Sequence, residues 1–246
     1  MPLLTDRDQI RTILRRDPAW CVYALADLSP RMFPKCQWFT PDLTLVLQDY
    51  DTSILFADGT GSIREALDHV TWPVHLQVQQ DALNEVARQA TVTHVKQMMR
   101  MAWRGGSTRT SDRVTRLGAK DVEALQRLYA DGGSTGESPD FFYGSMVTDG
   151  VFFGVYKAHD LIAAAGTHVV ARDEGAAAIG NVYVRRDRRG RGLGRAVTAA
   201  VIHELAGIAT VGLNVRADND AAIRMYESLG FVRHCDFREA LATAMR

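Results

Sequence analysis

At 246 residues the chain exceeds the common domain size of roughly 100–150, so two modest domains are expected. With 46% apolar and 24% charged residues it has the composition of a globular protein with a full core, which excludes a disordered or fibrous chain. Lysine plus arginine balance aspartate plus glutamate, 29 against 29, so no overall field attracts a polyanion; no nucleic-acid partner is expected, and any positive site must be local.

In chain order, the opening segment mixes acids and bases without an apolar core, unlike a secretory signal. No apolar run approaches the roughly 20 residues that span a bilayer, so no membrane partner is expected. Cys21, Cys36 and Cys235 lack CxxC spacing, which argues against a disulfide framework or a metal site and suits a cytoplasmic protein. Ile10, Ile13 and Leu14 ahead of Asp17-Pro18 predict a short amphipathic helix, and Ala19 to Leu28 a second. Leu43 to Gln48 and Ser53 to Phe56, either side of the polar residues 49–52, predict a hairpin. Ser62, with Glu65 three residues on, predicts a capping box on a helix to Val70. Val74 to Val78 alternates like a strand, Ala82 to Gln89 suits a helix, and Val92 to Met101 fits either. Met98, Met99, Met101 and Trp103 are expected to pack in a core rather than line a ligand pocket. Residues 104–111 are small, polar and glycine-bearing, the composition of a linker, and place a boundary between domains 1–105 and 112–246.

Beyond it, Val114 to Leu117 begins a strand, and Val122, Leu125, Leu128 and Tyr129 mark one face of a helix closed at Gly132-Gly133. A loop over Asp131 to Pro139 and a short helix over Phe141 to Val147 follow. Val151 to Tyr156 and Leu161 to Val170 form a hairpin, and Ala176 to Val184 is a third apolar strand that runs into a basic, glycine-rich turn. Leu193, Val197, Val201 and Leu205 give the next helix its inner face, ending at Gly207. Val211 to Val215 is a strand, Ala221 to Leu229 a helix closed by Gly230, and Phe231 to Phe237 a last strand. The predicted class is therefore α/β, a mixed sheet with an α+β domain ahead of it.

A strand, a glycine turn and a helix together aim free backbone N–H groups and the positive end of a helix dipole at an anion. Gly190, Gly192 and Gly194 leave that backbone uncovered, and Arg189, Arg191 and Arg195 add local charge. The spacing fails the dinucleotide fingerprint, because the sixth position from Gly190 is Arg195, and no Gly-Lys-Ser/Thr triplet of a P-loop occurs. ATP and NAD are therefore disfavoured as ligands.

Arg189-x-x-Gly192-x-Gly194 opening a helix, followed by Asn219-x-x-Ala222-x-x-x-Tyr226-x-x-x-Gly230-Phe231, resembles the GNAT superfamily of acyl-coenzyme A dependent N-acyltransferases. The resemblance covers about residues 112–240. It implies a splayed mixed sheet and acetyl-CoA as co-substrate, the pantetheine arm pairing with Val182 and Val184 while Arg189, Gly190, Arg191, Gly192, Leu193, Gly194 and Arg195 cradle the diphosphate. Asn219 resembles the residue bonded to the pantetheine or diphosphate region, and Tyr226 occupies the family's general-acid position. Carboxylates that serve as bases in some branches are replaced by Asn181 and Asn214, which cannot accept a proton, so the base lies elsewhere or acts through ordered water, and Glu137 and His168 are the candidates. Arg186 stands where the family usually has proline, a departure that alters the turn. Asp17-Pro18 and the run Tyr23 to Leu28 look faintly like the FR47-like and glycine N-acyltransferase-like branch. That likeness makes the first domain a degenerate GNAT-like copy that shapes the acceptor cleft, and favours a small amine or amino acid as acceptor. No metal is implied. The alternative is a non-catalytic acyl-CoA sensor, which the two asparagines favour and Tyr226 opposes.

Overall fold

The computed structural model describes residues 3–49, 52–106, 110–139 and 141–245. The chain falls into two compact units, Met1–Met101 with Val215–Asn219 and Arg233–Arg246, and Ala102–Asn214 with Asp220–Val232. Helix α1 (Arg7–Leu14) begins at Asp6, whose carboxylate accepts the N–H groups of Asp8 and Gln9, and buries Ile10 and Leu14 as their spacing requires. Helix α2 (Val22–Ala26) is shorter than the expected Ala19–Leu28, since Asp17 holds the Trp20 N–H at 3.0 Å in a turn ahead of it. Strand β1 (Cys36–Phe39) went unread in the sequence. β2 (Thr44–Asp49) and β3 (Thr52–Ala57) form the expected antiparallel hairpin; its turn residues Tyr50 and Asp51 lie outside the described residues.

Helix α3 (Ile63–Leu67) lacks the capping box expected of Ser62 and Glu65. The Ser62 hydroxyl is spent elsewhere, donating to the Asp42 carbonyl and pairing with the Thr44 hydroxyl. β4 (Val74–Val78), α4 (Gln80–Ala87) and β5 (Ala90–Trp103) follow, so the ambiguous stretch is a strand. Met98 and Met101 are buried, and the Trp103 indole donates to the Leu229 carbonyl at 3.0 Å. Of the expected linker, residues 107–109 lie outside the described residues.

Next come β6 (Thr115–Arg116), α5 (Val122–Ala130), α6 (Gly144–Asp149), β7 (Phe153–Lys157), β8 (Asp160–Ala171), β9 (Ala176–Val184), α7 (Leu193–Glu204), β10 (Thr210–Arg216), α8 (Asp220–Glu227) and β11 (Phe231–Ala244). The last strand runs well past the expected Phe237, and its residues from Arg233 belong to the first unit. In that unit the strand order is β1-β2-β3-β4-β11-β5, with β3 and β4 parallel and β4 and β11 antiparallel. Phe39, Val46, Leu55, Val74, Leu76 and Val86 lie at its core. The second unit has the order β10-β9-β8-β7-β6, antiparallel except for the parallel pair β9 and β10. Leu125, Leu128 and Tyr129 of α5 and Val147 of α6 pack with Phe152, Ala164 and Tyr183 in one cluster, while α7 lies against β7, β8 and β9. Both units are thus mixed α/β layers.

Asp27, only 6% exposed, has its carboxyl pushed up to about 7 by burial and then by the nearby Asp49. An unfolded aspartate titrates near 3.9, so between about 4 and 7 the folded chain holds a proton that the unfolded chain has lost. Stability falls as pH rises through that window and levels off above it. Asp27→Asn is expected to flatten the fall and to raise the melting temperature at pH 8; thermal melts across pH 5–8 check this, and an unchanged slope contradicts it.

Candidate active site

In the second unit, β9 and β10 run side by side only from Ala176/Thr210 to Ile179/Leu213, although β9 continues to Val184. Beyond Ile179 the two strands part. On its other side, β9 pairs Gly180 with Gly166 and Tyr183 with Ala164, so Asn181 and Val182 have no partner in the β8–β9 register. This is a β-bulge, and Asn181 takes the left-handed conformation at φ 53° to make it. Val182 therefore borders an open seam on one side and an unmatched register on the other. The Asn181 carbonyl accepts the Tyr129 hydroxyl at 3.0 Å, while its side-chain oxygen is buried without a hydrogen-bond partner.

Val184 leads into the turn. Gly190 and Gly192 both adopt φ 73°, and Gly192 is the N-cap of α7 without any side-chain cap. A Cβ at either glycine would meet nothing within 4 Å, so the turn is open above both. The first intrahelical bond is Ala196 N–H to the Gly192 carbonyl at 3.0 Å, which leaves the N–H groups of Leu193, Gly194 and Arg195 ahead of the helical ladder. Such a terminus favours an oxyanion.

Two arginines of the turn, Arg189 and Arg195, are held by the fold. Arg189 donates through Nη1 to Glu137 at 2.8 Å and through Nε to the Val184 carbonyl at 3.2 Å, and lies 5.6 Å from the Tyr183 ring centroid. Arg195 Nε reaches the Ser228 hydroxyl at 3.4 Å. The Arg189 hydrogen bond, with a second from Thr135, holds the Glu137 carboxyl below the usual carboxylate range. Asp131, which the sequence gave no reason to single out, accepts the Arg186 N–H at 3.0 Å and the Tyr183 hydroxyl at 2.9 Å; the first of these bonds does most to lower its pKa. Asp131 and Glu137 thereby fasten the 131–139 loop to the approach of the glycine turn.

Tyr226, on α8, is 6% exposed, packs edge-to-face on Phe231 at 5.9 Å between centroids, and has its phenol pushed up by burial. His168 is the residue left unmatched where the β8 register shifts between Thr167 and Val169. Its ring covers Gly180, where an added Cβ would fall 2.3 Å from Nε2, and so lies one residue beyond the last β9–β10 pair. The turn, Val184 and Glu137 thus lie at the end of β9, tied by Arg189, while His168 lies over Gly180 in the middle of the strand. Asn219 precedes α8, its N–H donating to the Arg216 carbonyl at 3.0 Å, and belongs to the first unit. Asn214, on β10, is the last residue of that strand in the second unit.

The second unit thus has a mixed sheet parted between two parallel strands, with a glycine turn opening a helix beside the parting. Residues 121–231 match the Acetyltransferase (GNAT) family. The chain is similar to the mycothiol acetyltransferase of Kocuria rhizophila, 54% identical over 65 residues covering 24% of this chain and 22% of that protein. It is also similar to the ribosomal protein bS18-alanine N-acetyltransferase of Escherichia coli K12, 53% identical over 53 residues covering 21% and 36%. The chain therefore spans about a fifth to a third of the length of these curated relatives. In fold it is similar to a tandem GNAT protein from the clavulanic acid biosynthesis pathway, with TM-score 0.56, 12% identity and coverage of 100% and 98%. Among the described residues, no helix is long and apolar enough to cross a membrane, and no group of three or more His, Cys, Asp or Glu could hold a metal ion.

Proposed function

We propose that this protein transfers an acetyl group from acetyl-CoA to the primary amine of a small molecule or amino acid by direct attack on the thioester. The observation that carries the reading is the parting of β9 from β10 beside the uncapped, open turn at Gly190 to Gly194. A pantetheine arm entering the seam would pair with the backbone of Val182 and Val184, and the diphosphate would take the N–H groups of Leu193, Gly194 and Arg195 with charge from Arg189 and Arg191. The acetyl carbonyl would then lie near the bulge, where backbone donors can stabilise the tetrahedral oxyanion.

Tyr226 is the general acid in this reading. Burial raises its phenol, which opposes proton release, but the thiolate expelled into the same dry surroundings is raised by the same desolvation. Of the two candidate bases, His168 is favoured, because it covers Gly180 beside the seam, whereas Glu137 is tied to Arg189 and acidified by it. A titratable group in the bulge is unnecessary if Asn181 serves only to position the amine. The first unit, in a chain whose fold follows a tandem protein over its whole length, is read as a degenerate copy that binds no coenzyme A.

Thiol release from acetyl-CoA, measured with a panel of amines and amino acids, tests the function. Turnover with a small amine supports it, and release with none of them supports the sensor. Glu137→Gln separates the two roles of that residue. Freed from its ion pair, Arg189 is expected to bind coenzyme A about two- to fivefold more tightly, the range of an exposed pair, with kcat unchanged. A kcat fall of a hundredfold would instead make Glu137 the base.

A further inference from the structure

We propose that Arg100 anchors a binding site within the first unit for the carboxylate of a small organic acid. Arg100 lies on β5 and is wholly buried, and none of its Nε, Nη1 and Nη2 atoms has a hydrogen-bond partner. Its guanidinium is boxed by three rings, with its central carbon 5.3 Å from the Trp20 centroid, 4.7 Å from Tyr23 and 5.3 Å from Phe237. Ring faces attract the cation, yet they accept none of its five N–H bonds.

The titratable groups around it do not supply the missing acceptor. They are Tyr23, Cys235, Glu239 and Cys21. Burial pushes both thiols up, so they stay neutral, and Glu239 forms no hydrogen bond to the guanidinium. A buried cation with every donor idle is strongly unfavourable unless an anion completes it. A planar carboxylate is the anion that matches this group, because it makes two parallel bonds to the guanidinium fork. The same rings give the rest of an organic acid apolar contact. Tyr23 is the half-buried ring of the three, and a ligand enters by its displacement.

Thermal melts of the full chain in formate, acetate or benzoate, against chloride at equal ionic strength, test this with Arg100→Met as the comparison. Wild type is expected to gain about 3–6 °C for each tenfold rise in carboxylate beyond its Kd. Arg100→Met, which keeps the bulk and removes the buried donors, should melt no lower than ligand-free wild type and should not respond. No response in wild type, an equal response to chloride, or an equal response in the variant overturns the proposal. If Arg100→Met does not fold, acetate titration of 15N-labelled wild type decides: a single protected arginine Nε–H signal that shifts saturably supports the site, and its constancy overturns it.

Discussion

Tyr226→Phe is expected to lower kcat by roughly a hundred- to ten-thousandfold while coenzyme A affinity changes less than twofold. The substitution removes one oxygen from a buried ring, and the edge-to-face packing on Phe231 survives it. Because the proton is needed only as the thiolate leaves, the lost interaction belongs to the transition state, so kcat and kcat/KM should fall together. Stopped-flow or steady-state thiol release gives the rates, and calorimetry gives the affinity. Equal rates for the two proteins remove Tyr226 from the chemistry, and an equal loss of affinity makes it a binding residue.

Gly192→Val is expected to weaken coenzyme A binding by about ten- to a hundredfold, the equivalent of one charge-assisted hydrogen bond lost. Gly192 caps α7 at φ 73°, a conformation that costs a residue with a side chain roughly 1–2 kcal/mol. Its Cβ would project into the open space above the turn, where the account places a diphosphate. Gly207, just beyond the other end of α7, has φ 88° and equally open surroundings, so Gly207→Val carries comparable strain far from the turn. Similar melting temperatures for the two variants with affinity lost only at Gly192 are predicted. Equal affinities would mean that strain alone acts.

The second unit was legible in the sequence where periodicity and turn chemistry agree. The four-residue spacing of Val197, Val201 and Leu205 fixed a helix that buries all three, and the apolar run from Ala176 to Val184 is β9 to the residue. The glycine turn was legible because open left-handed positions select glycine. The bulge was not: Asn181 at φ 53° lies between Gly180 and Tyr183, whose pairing with Gly166 and Ala164 on β8 leaves it unmatched, and no local pattern encodes that register. Nor were the ties of Asp131 to Arg186 and of Glu137 to Arg189, which join residues more than fifty apart in the chain. Ser62 shows the converse failure, since a sound local signal for a cap lost its hydroxyl to Asp42 and Thr44. Alternation ceased to guide β5, where buried and exposed residues do not alternate strictly, so helix and strand could not be told apart.

The central claim is that the backbone between Arg189 and Arg195 grips a diphosphate. Calorimetric titration of the wild-type chain with coenzyme A, dephospho-coenzyme A and pantetheine tests it most directly, because only pantetheine lacks the diphosphate. The account predicts one-to-one binding of the first two and an affinity at least a hundredfold weaker for pantetheine. Equal affinity for all three, or no heat with coenzyme A, would contradict it.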